Sequence, residues 1–432
     1  MNRASSKSEE WSASAGAAEW IRTPVGRGFV LLTVATFATG FAMAAQQSIV
    51  SNYFENVLHL DGPQFGYITA IREIPGFLLI FVTALFYRLS LPHLTAGALV
   101  VLAIGYAFFG VSTSFWTVAP WVILSSLGYH TWLQTQYALG LSLTAEHRSG
   151  GILGRMSAMN GAGALAAMVF VLLAFSRDWL SFDGAFIVCG VFALIAALFI
   201  VRFPHLHNGE VQAKAAQREP IVLRREYKLY YIVSLLDGAR QQIFFSFGLW
   251  VLVDHFGMTV PQISAVLLSV TTLSMLSGAW IGRLIDRYGE RRILGVVNVM
   301  YVIALLGYGL IDHIGVAIGC YILYSFIFPL SAMGAAIYLR KIAPAADIAP
   351  SFAMGITLQH AAAVAVPIAT GFVLNFVGYQ IPFLVASGFA VITYFVTRSL
   401  DAETQKSAGR LAEDSGRQAS VAATSPVSAS RG

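Results

Sequence analysis

The sequence is short of charge. Asp, Glu, Lys and Arg make up 11% of its 432 residues against 57% hydrophobic, whereas soluble globular domains carry roughly a quarter charged residues. That deficit excludes a soluble fold. Cysteine is scarce too: Cys189 and Cys320 both lie in apolar runs, so neither a disulfide framework nor a zinc site of Cys-pair spacing is available. No H-E-x-x-H pair, nucleophile elbow or long polar domain is present, which argues against an enzyme and against a resident metal or cofactor. The first twenty residues lack a short apolar core with a cleavage site, so no removable signal peptide is expected and the first spanning helix serves as the insertion signal.

What the chain has instead is a succession of apolar runs, each near the roughly 20 residues that cross ~30 Å of hydrocarbon. Bounded by Gly, Pro or charge, they number twelve, at 28–57, 65–87, 94–112, 117–143, 151–174, 183–202, 229–255, 262–283, 293–311, 315–338, 350–376 and 380–398. Backbone groups in lipid must be satisfied within the segment, so spans this long are helices. The expected fold class is all-α membrane protein, twelve transmembrane helices in two pseudo-symmetric six-helix bundles. The expected organisation is a cytoplasmic tail at 1–27, a first bundle at 28–202, a central loop at 203–228, a second bundle at 229–398 and a disordered tail at 399–432.

Lys and Arg set the orientation. With both termini inside, the inner segments hold 24 of the 27 basic residues, the outer loops hold only Arg177, and Arg72 and Arg240 fall within spans. Basic residues gather on the cytoplasmic side. The pI near 9.2 is therefore a topology signal and not a nucleic-acid one. An absence of N-x-Ser/Thr sites in compact outer loops points to a bacterial inner membrane.

The two halves echo one another. Gln46-Gln47 followed by Pro63-Gln64 recurs as Gln241-Gln242 followed by Pro261-Gln262, an offset of 195 rising to 198. Between the eighth and ninth spans the chain reads Gly282-Arg283-Leu284-Ile285-Asp286-Arg287-Tyr288-Gly289-Glu290-Arg291-Arg292. The glycines permit a tight turn between helices, and the basic cluster anchors it on the cytoplasmic side. This resembles the G-x-x-x-D-R-x-G-x-R-[RK] loop signature of the major facilitator superfamily, and the resemblance extends over about residues 28–398. The equivalent stretch between the second and third spans, Phe86 to His93, lacks the glycines and the acid, so no subfamily is assigned. The resemblance implies that the loop latches one gating state through Gly282, Asp286, Arg287, Gly289 and Arg291. It also implies that the first, fourth, seventh and tenth helices line a central cavity. Gly161-Ala162-Gly163-Ala164-Leu165-Ala166 matches a dinucleotide fingerprint, but it lies inside an apolar helix with no preceding strand, where close helix packing is the reading.

Charges at membrane depth cost about 2.5–3.5 kcal/mol on insertion scales, so those that remain face a partner or a wet cavity. Four qualify here: Arg72, Glu73, Asp237 and Arg240. Arg72 is expected to bind an anion through its planar fork of donors, with adjacent Glu73 pointing about 100° away. Asp237 and Arg240 share a helix face with Gln241, being spaced i, i+3, i+4. Asp237 is expected to titrate and to relay its charge to Arg240, with Arg240 and Gln241 touching the solute. His130, Gln134 and Tyr137 share a face of the fourth span. Gln46, Gln47 and Tyr324 complete the expected solute contacts, and Asp237 and Glu73 are the expected proton-coupling residues.

These features predict a monomeric secondary transporter in the lipid bilayer, with a small-molecule substrate and protons as its partners. Buried arginines and amides favour a small organic solute, polar or anionic. Efflux of amphipathic drugs or metabolites is the other expectation, drawn from the aromatic-rich spans and the glycine-rich fifth helix.

Overall fold

The computed structural model describes residues 17–85, 89–144, 149–204 and 224–399. Every regular element among them is a helix. A short α1 (Ala17–Arg22) leads through Thr23, whose side chain caps the next helix at Gly26 N, into α2 (Pro24–Asn56). There follow α3 (Gly62–Leu85), α4 (Leu91–Ala107), α5 (Phe115–Ser142), α6 (Ser149–Ser176) and α7 (Phe182–Ile200). A 3-10 turn at Arg225–Tyr227 opens α8 (Lys228–Gln242), which a π turn at Ile243–Phe247 joins to α9 (Gly248–Asp254). The rest is α10 (Val260–Tyr288), α11 (Glu290–Leu310), α12 (Ile314–Ile342), α13 (Ala345–Val377) and α14 (Gln380–Arg398).

Each of the twelve expected spans falls on a helix, the seventh on α8 and α9 together. Among the described residues, eight helices are long and apolar enough to cross a membrane, and Leu91–Ala107 is a shorter apolar helix. The seventh span differs from its expected continuous form. The π turn inserts a wider loop of backbone just after Arg240, and such turns concentrate at functional sites.

Packing divides the chain into two compact units, residues 1–217 with 252–275, and residues 218–251 with 276–432. In the first unit the main helix pairs are α2 with α6, α2 with α7, α4 with α5, and α4 with α7. In the second they are α8 with α13, α8 with α14, α11 with α12, and α11 with α14. In span order these are 1·5, 1·6, 3·4 and 3·6, repeated as 7·11, 7·12, 9·10 and 9·12; the further pair of α3 with α5 in the first unit, 2·4, has no counterpart among the main pairs of the second. The duplication that is faint in the sequence is therefore plain in the packing.

Small residues let these helices approach. A Cβ on Gly163 would strike the carbonyl of Phe37 where α6 crosses α2, and one on Gly238 would come within 2.9 Å of Gln359 Cα where α8 crosses α13. Gly163 belongs to the dinucleotide look-alike, and close backbone contact is its structural role.

The family-signature stretch departs from the loop expected of it. α10 continues through Arg283 and Arg287 to Tyr288, and α11 begins at Glu290, leaving Gly289 as the joint with φ 76° and ψ 156°. Arg and Leu are good helix formers, so nothing before Gly289 stops the helix. Only glycine takes that backbone conformation without strain.

Candidate functional sites in the two units

The first site lies in the second unit, around the charges of α8. Asp237 and Arg240 share a face at i, i+3, and Arg240 Nη2 donates to Asp237 Oδ1 at 2.9 Å. Arg240 is only 1% exposed. Its Nη1 donates to Asn298 Oδ1 on α11 at 3.3 Å, and Ser331 on α12 donates to Asp237 Oδ2 at 2.9 Å. The Asn298 amide is itself oriented by donating to the Leu294 carbonyl at 2.8 Å. The guanidinium lies 3.5 Å from the centroid of the Tyr301 ring, a close cation–π contact.

Burying an ion pair is expensive unless hydrogen bonds satisfy what the pair leaves over. Here both carboxylate oxygens and both terminal guanidinium nitrogens are engaged. Arg240 Nε and the hydroxyls of Tyr301 and Tyr324 are buried and make no close, well-aligned hydrogen bond, the Tyr324 hydroxyl facing the guanidinium and that of Tyr301 facing Ser331. The π turn places Phe244 against this group, its ring 3.7 Å from that of Tyr324 and 5.2 Å from that of Tyr321. Tyr324, expected to touch the solute, is fully enclosed by these rings, and Gln241 is half-buried.

The second site lies in the first unit. Arg72 side chain is half exposed, and its Nη2 reaches Glu73 Oε1 at 3.4 Å. This corrects the expectation that the two diverge: the Cβ atoms do point apart, but the arginine stem is long enough to fold back. It also removes Arg72 from the fully buried charges. Pro75 gives α3 no N–H for the Ile71 carbonyl, and one residue on, the Arg72 carbonyl accepts the Ser126 hydroxyl of α5. His130 Nδ1 lies 3.0 Å from both the hydroxyl and the carbonyl oxygen of Ser126. A ring nitrogen of His130 and a carboxylate oxygen of Glu73 come within 4.8 Å of one another.

The face expected to hold His130, Gln134 and Tyr137 runs from the buried interior at His130 to exposed positions at Gln134 and Tyr137. Gln46 is half-buried and Gln47 exposed on α2. In the signature stretch Arg287 and Arg291 are exposed; Arg287 lies over the Tyr288 ring and Arg291 donates to the Arg398 carbonyl. The side chain of Asp286 and the surroundings of Gly282 lie outside the described residues, as do Arg88 and the tail beyond residue 399.

Three groups of residues went unread in the sequence. Asn298 and Ser331 hold the α8 pair, and Ser126 links α3 to α5. The third is at the entrance to α8, where Asp347 of α13 accepts from Tyr227 at 2.8 Å and pairs with Arg224 at 2.9 Å. Burial, then the hydrogen bond to Asp347, pushes the Tyr227 phenol well above its ordinary range. A lone Asn in the apolar ninth span was the one signal available.

These features define a polytopic helical membrane protein with a duplicated bundle and a buried charge pair in its second half. Residues 229–429 match the family model described as Major Facilitator Superfamily. Solved structures of similar fold include the nucleoside transporter NupG, with a TM-score of 0.70 at 16% identity, covering 86% of this chain and 98% of that one. A D-xylose-proton symporter aligns at 0.67 and 14%, over 86% and 97% of the two chains. A bacterial homologue of the human lysosomal transporter Spinster, in an inward-facing and occupied conformation, aligns at 0.67 and 11%, over 87% and 97%. No curated protein matches in sequence. The second half of the chain is thus similar in sequence to the major facilitator superfamily, and the chain as a whole shares the fold of these transporters.

Proposed function

We propose that this chain is a secondary transporter that carries a small organic solute, polar or anionic, by alternating access and couples its movement to protons. Arg240 carries the reading. Its guanidinium, flanked by the Tyr301 hydroxyl facing Ser331 and the Tyr324 hydroxyl facing the arginine itself, is chemistry suited to the oxygens of a carboxylate, phosphate or sugar. Asp237 is the coupling group in this scheme. Ionised, it occupies the guanidinium at 2.9 Å; protonated, it gives up the charge that holds Arg240, which turns to the solute. Proton and solute then favour each other's binding, by linkage.

The structural neighbours carry, by their names, nucleosides and D-xylose with a proton, which are small polar solutes of the kind this chemistry suits. Alternating access calls for two related bundles, and the repeated packing pattern fits that requirement. The signature residues Gly282, Asp286, Arg287, Gly289 and Arg291 act in this reading as the latch of one gating state. The protein works as a monomer in a bacterial inner membrane with both termini cytoplasmic.

The test is uptake by the purified full-length protein in liposomes, with labelled nucleosides, pentoses and short carboxylates, under an inward proton gradient. Accumulation that collapses with the gradient, and that D237N reduces at least tenfold, supports the reading. Accumulation that ignores the gradient sinks proton coupling. Transport of amphipathic cations alone turns the assignment to efflux.

A further inference from the structure

We propose that one end of the second unit, where α11 begins and α12 and α14 finish, is a docking surface for the headgroup of an anionic phospholipid, held by Arg291, Arg292 and Arg398. It rests on the chain's spanning a membrane and not on what the chain carries.

Several helix ends meet there. Arg291 of α11 donates to the carbonyl of Arg398, the last residue of α14. Leu294, about one turn further along α11, packs in one cluster with Leu339 of α12, just ahead of Arg340 and Lys341. Through the Gly289 joint α10 reaches the same place and brings Arg283 and Arg287. The stretches 283–292, 340–341 and 398 hold seven basic residues against the two acids Asp286 and Glu290, so this end is strongly positive whatever those acids pair with. The contacts described for Arg287, Arg291 and Arg398 go to an aromatic ring, a carbonyl and the Tyr394 phenol, neutral groups that cancel no charge. Arg224 differs, being matched by Asp347 at 2.9 Å.

Positive charge at one end of a bundle is ordinary in a membrane protein. What singles out this end is the apolar face that leads to it. On α11, Arg292, Val296, Val299 and Ile303 follow at i, i+4, i+7 and i+11, so they share one face, and the three apolar side chains are exposed. On α14, Val391, Phe395 and Arg398 repeat the pattern, again with the apolar pair exposed. Exposed apolar stripes on spanning helices meet acyl chains. Each stripe here ends at an arginine, which sets the guanidinium where hydrocarbon gives way to headgroups. Tyr394, whose hydroxyl accepts from Arg398 Nη1 at 3.2 Å, is a residue type that favours that level.

This combination selects the ligand. A soluble phosphate needs the arginines alone, whereas a phospholipid uses both features, its phosphate on the guanidinium forks and its chains on the stripes. A zwitterionic headgroup brings a second positive charge to an end already rich in it; an anionic one does not.

Native mass spectrometry of the detergent-purified full-length protein tests this, with phosphatidylglycerol, phosphatidylcholine and inorganic phosphate as separate probes. Phosphatidylglycerol should bind roughly tenfold more tightly than phosphatidylcholine, and R292Q should remove roughly fivefold of that preference, the share of one basic residue at an anionic surface. R292Q leaves the bond from Arg291 to the Arg398 carbonyl in place; if it does not fold, R398Q gives the same reading. R177Q, far along the sequence in the first unit, should leave the preference unchanged. Equal binding of the two lipids, or a preference that R292Q leaves intact or R177Q removes, overturns the proposal. Inorganic phosphate binding as tightly as phosphatidylglycerol also overturns it, making this a site for a soluble anion. No solute takes part, so the flux assay is judged apart.

Discussion

Removing one partner of a buried ion pair strands the other charge where water cannot reach it, at a cost of about 3–5 kcal/mol. D237A should therefore lower the thermal unfolding midpoint of the detergent-purified protein far more than the double substitution of Asp237 and Arg240 by Leu and Met. If the single and the double variants fall equally, the pair is not the unit that the 2.9 Å contact suggests. N298A removes one hydrogen bond to a charged group and should cost about 1.5–3 kcal/mol in the same measurement. At the α8 entrance, Y227F should cost about 1 kcal/mol. Because the folded phenol titrates above its unfolded value, its contribution is complete below that unfolded value and is lost only in strong alkali; the Y227F difference should stay constant from pH 6 to pH 8. The pair itself was legible in the sequence, since two opposite charges at i, i+3 in an apolar helix announce each other. Its supports were not. Asn298 and Ser331 are 58 and 94 residues away, and a serine in an apolar helix usually bonds its own backbone.

At the scale of the element, helix positions were readable because hydrophobic length and Gly, Pro or charge at the ends mark them. The π turn was not, since Ile243–Phe247 contains no residue that breaks a helix. The signature stretch was misread as a loop because its arginines look like solvent-exposed connection; long side chains with good helix propensity sit as easily on a helix surface. Gly289 carries the whole reversal of direction there, with φ 76° and ψ 156°. G289A should cost about 1–3 kcal/mol of backbone strain, read as a lower unfolding midpoint with unchanged helix content by circular dichroism. Tolerance of alanine would mean that the joint adopts another conformation.

For the molecule as a whole, the charge census makes a topological prediction. A fluorescent protein fused after residue 432 should light up in the cytoplasm, and alkaline phosphatase fused at Arg177 should be active outside; the reverse pattern would contradict the reading from 24 inner basic residues. The duplicated packing was only hinted at by the Gln-Gln and Pro-Gln echoes, because the crossings depend on how little room a side chain takes, and many residues leave room. Gly163 and Gly238 show this most clearly, being crossing points in spans five and seven. In a library of every single substitution, such positions would stand out as places where bulk alone decides survival, with alanine tolerated best and chemistry irrelevant. That footprint would let an ancient duplication be traced in volumes long after the letters have diverged.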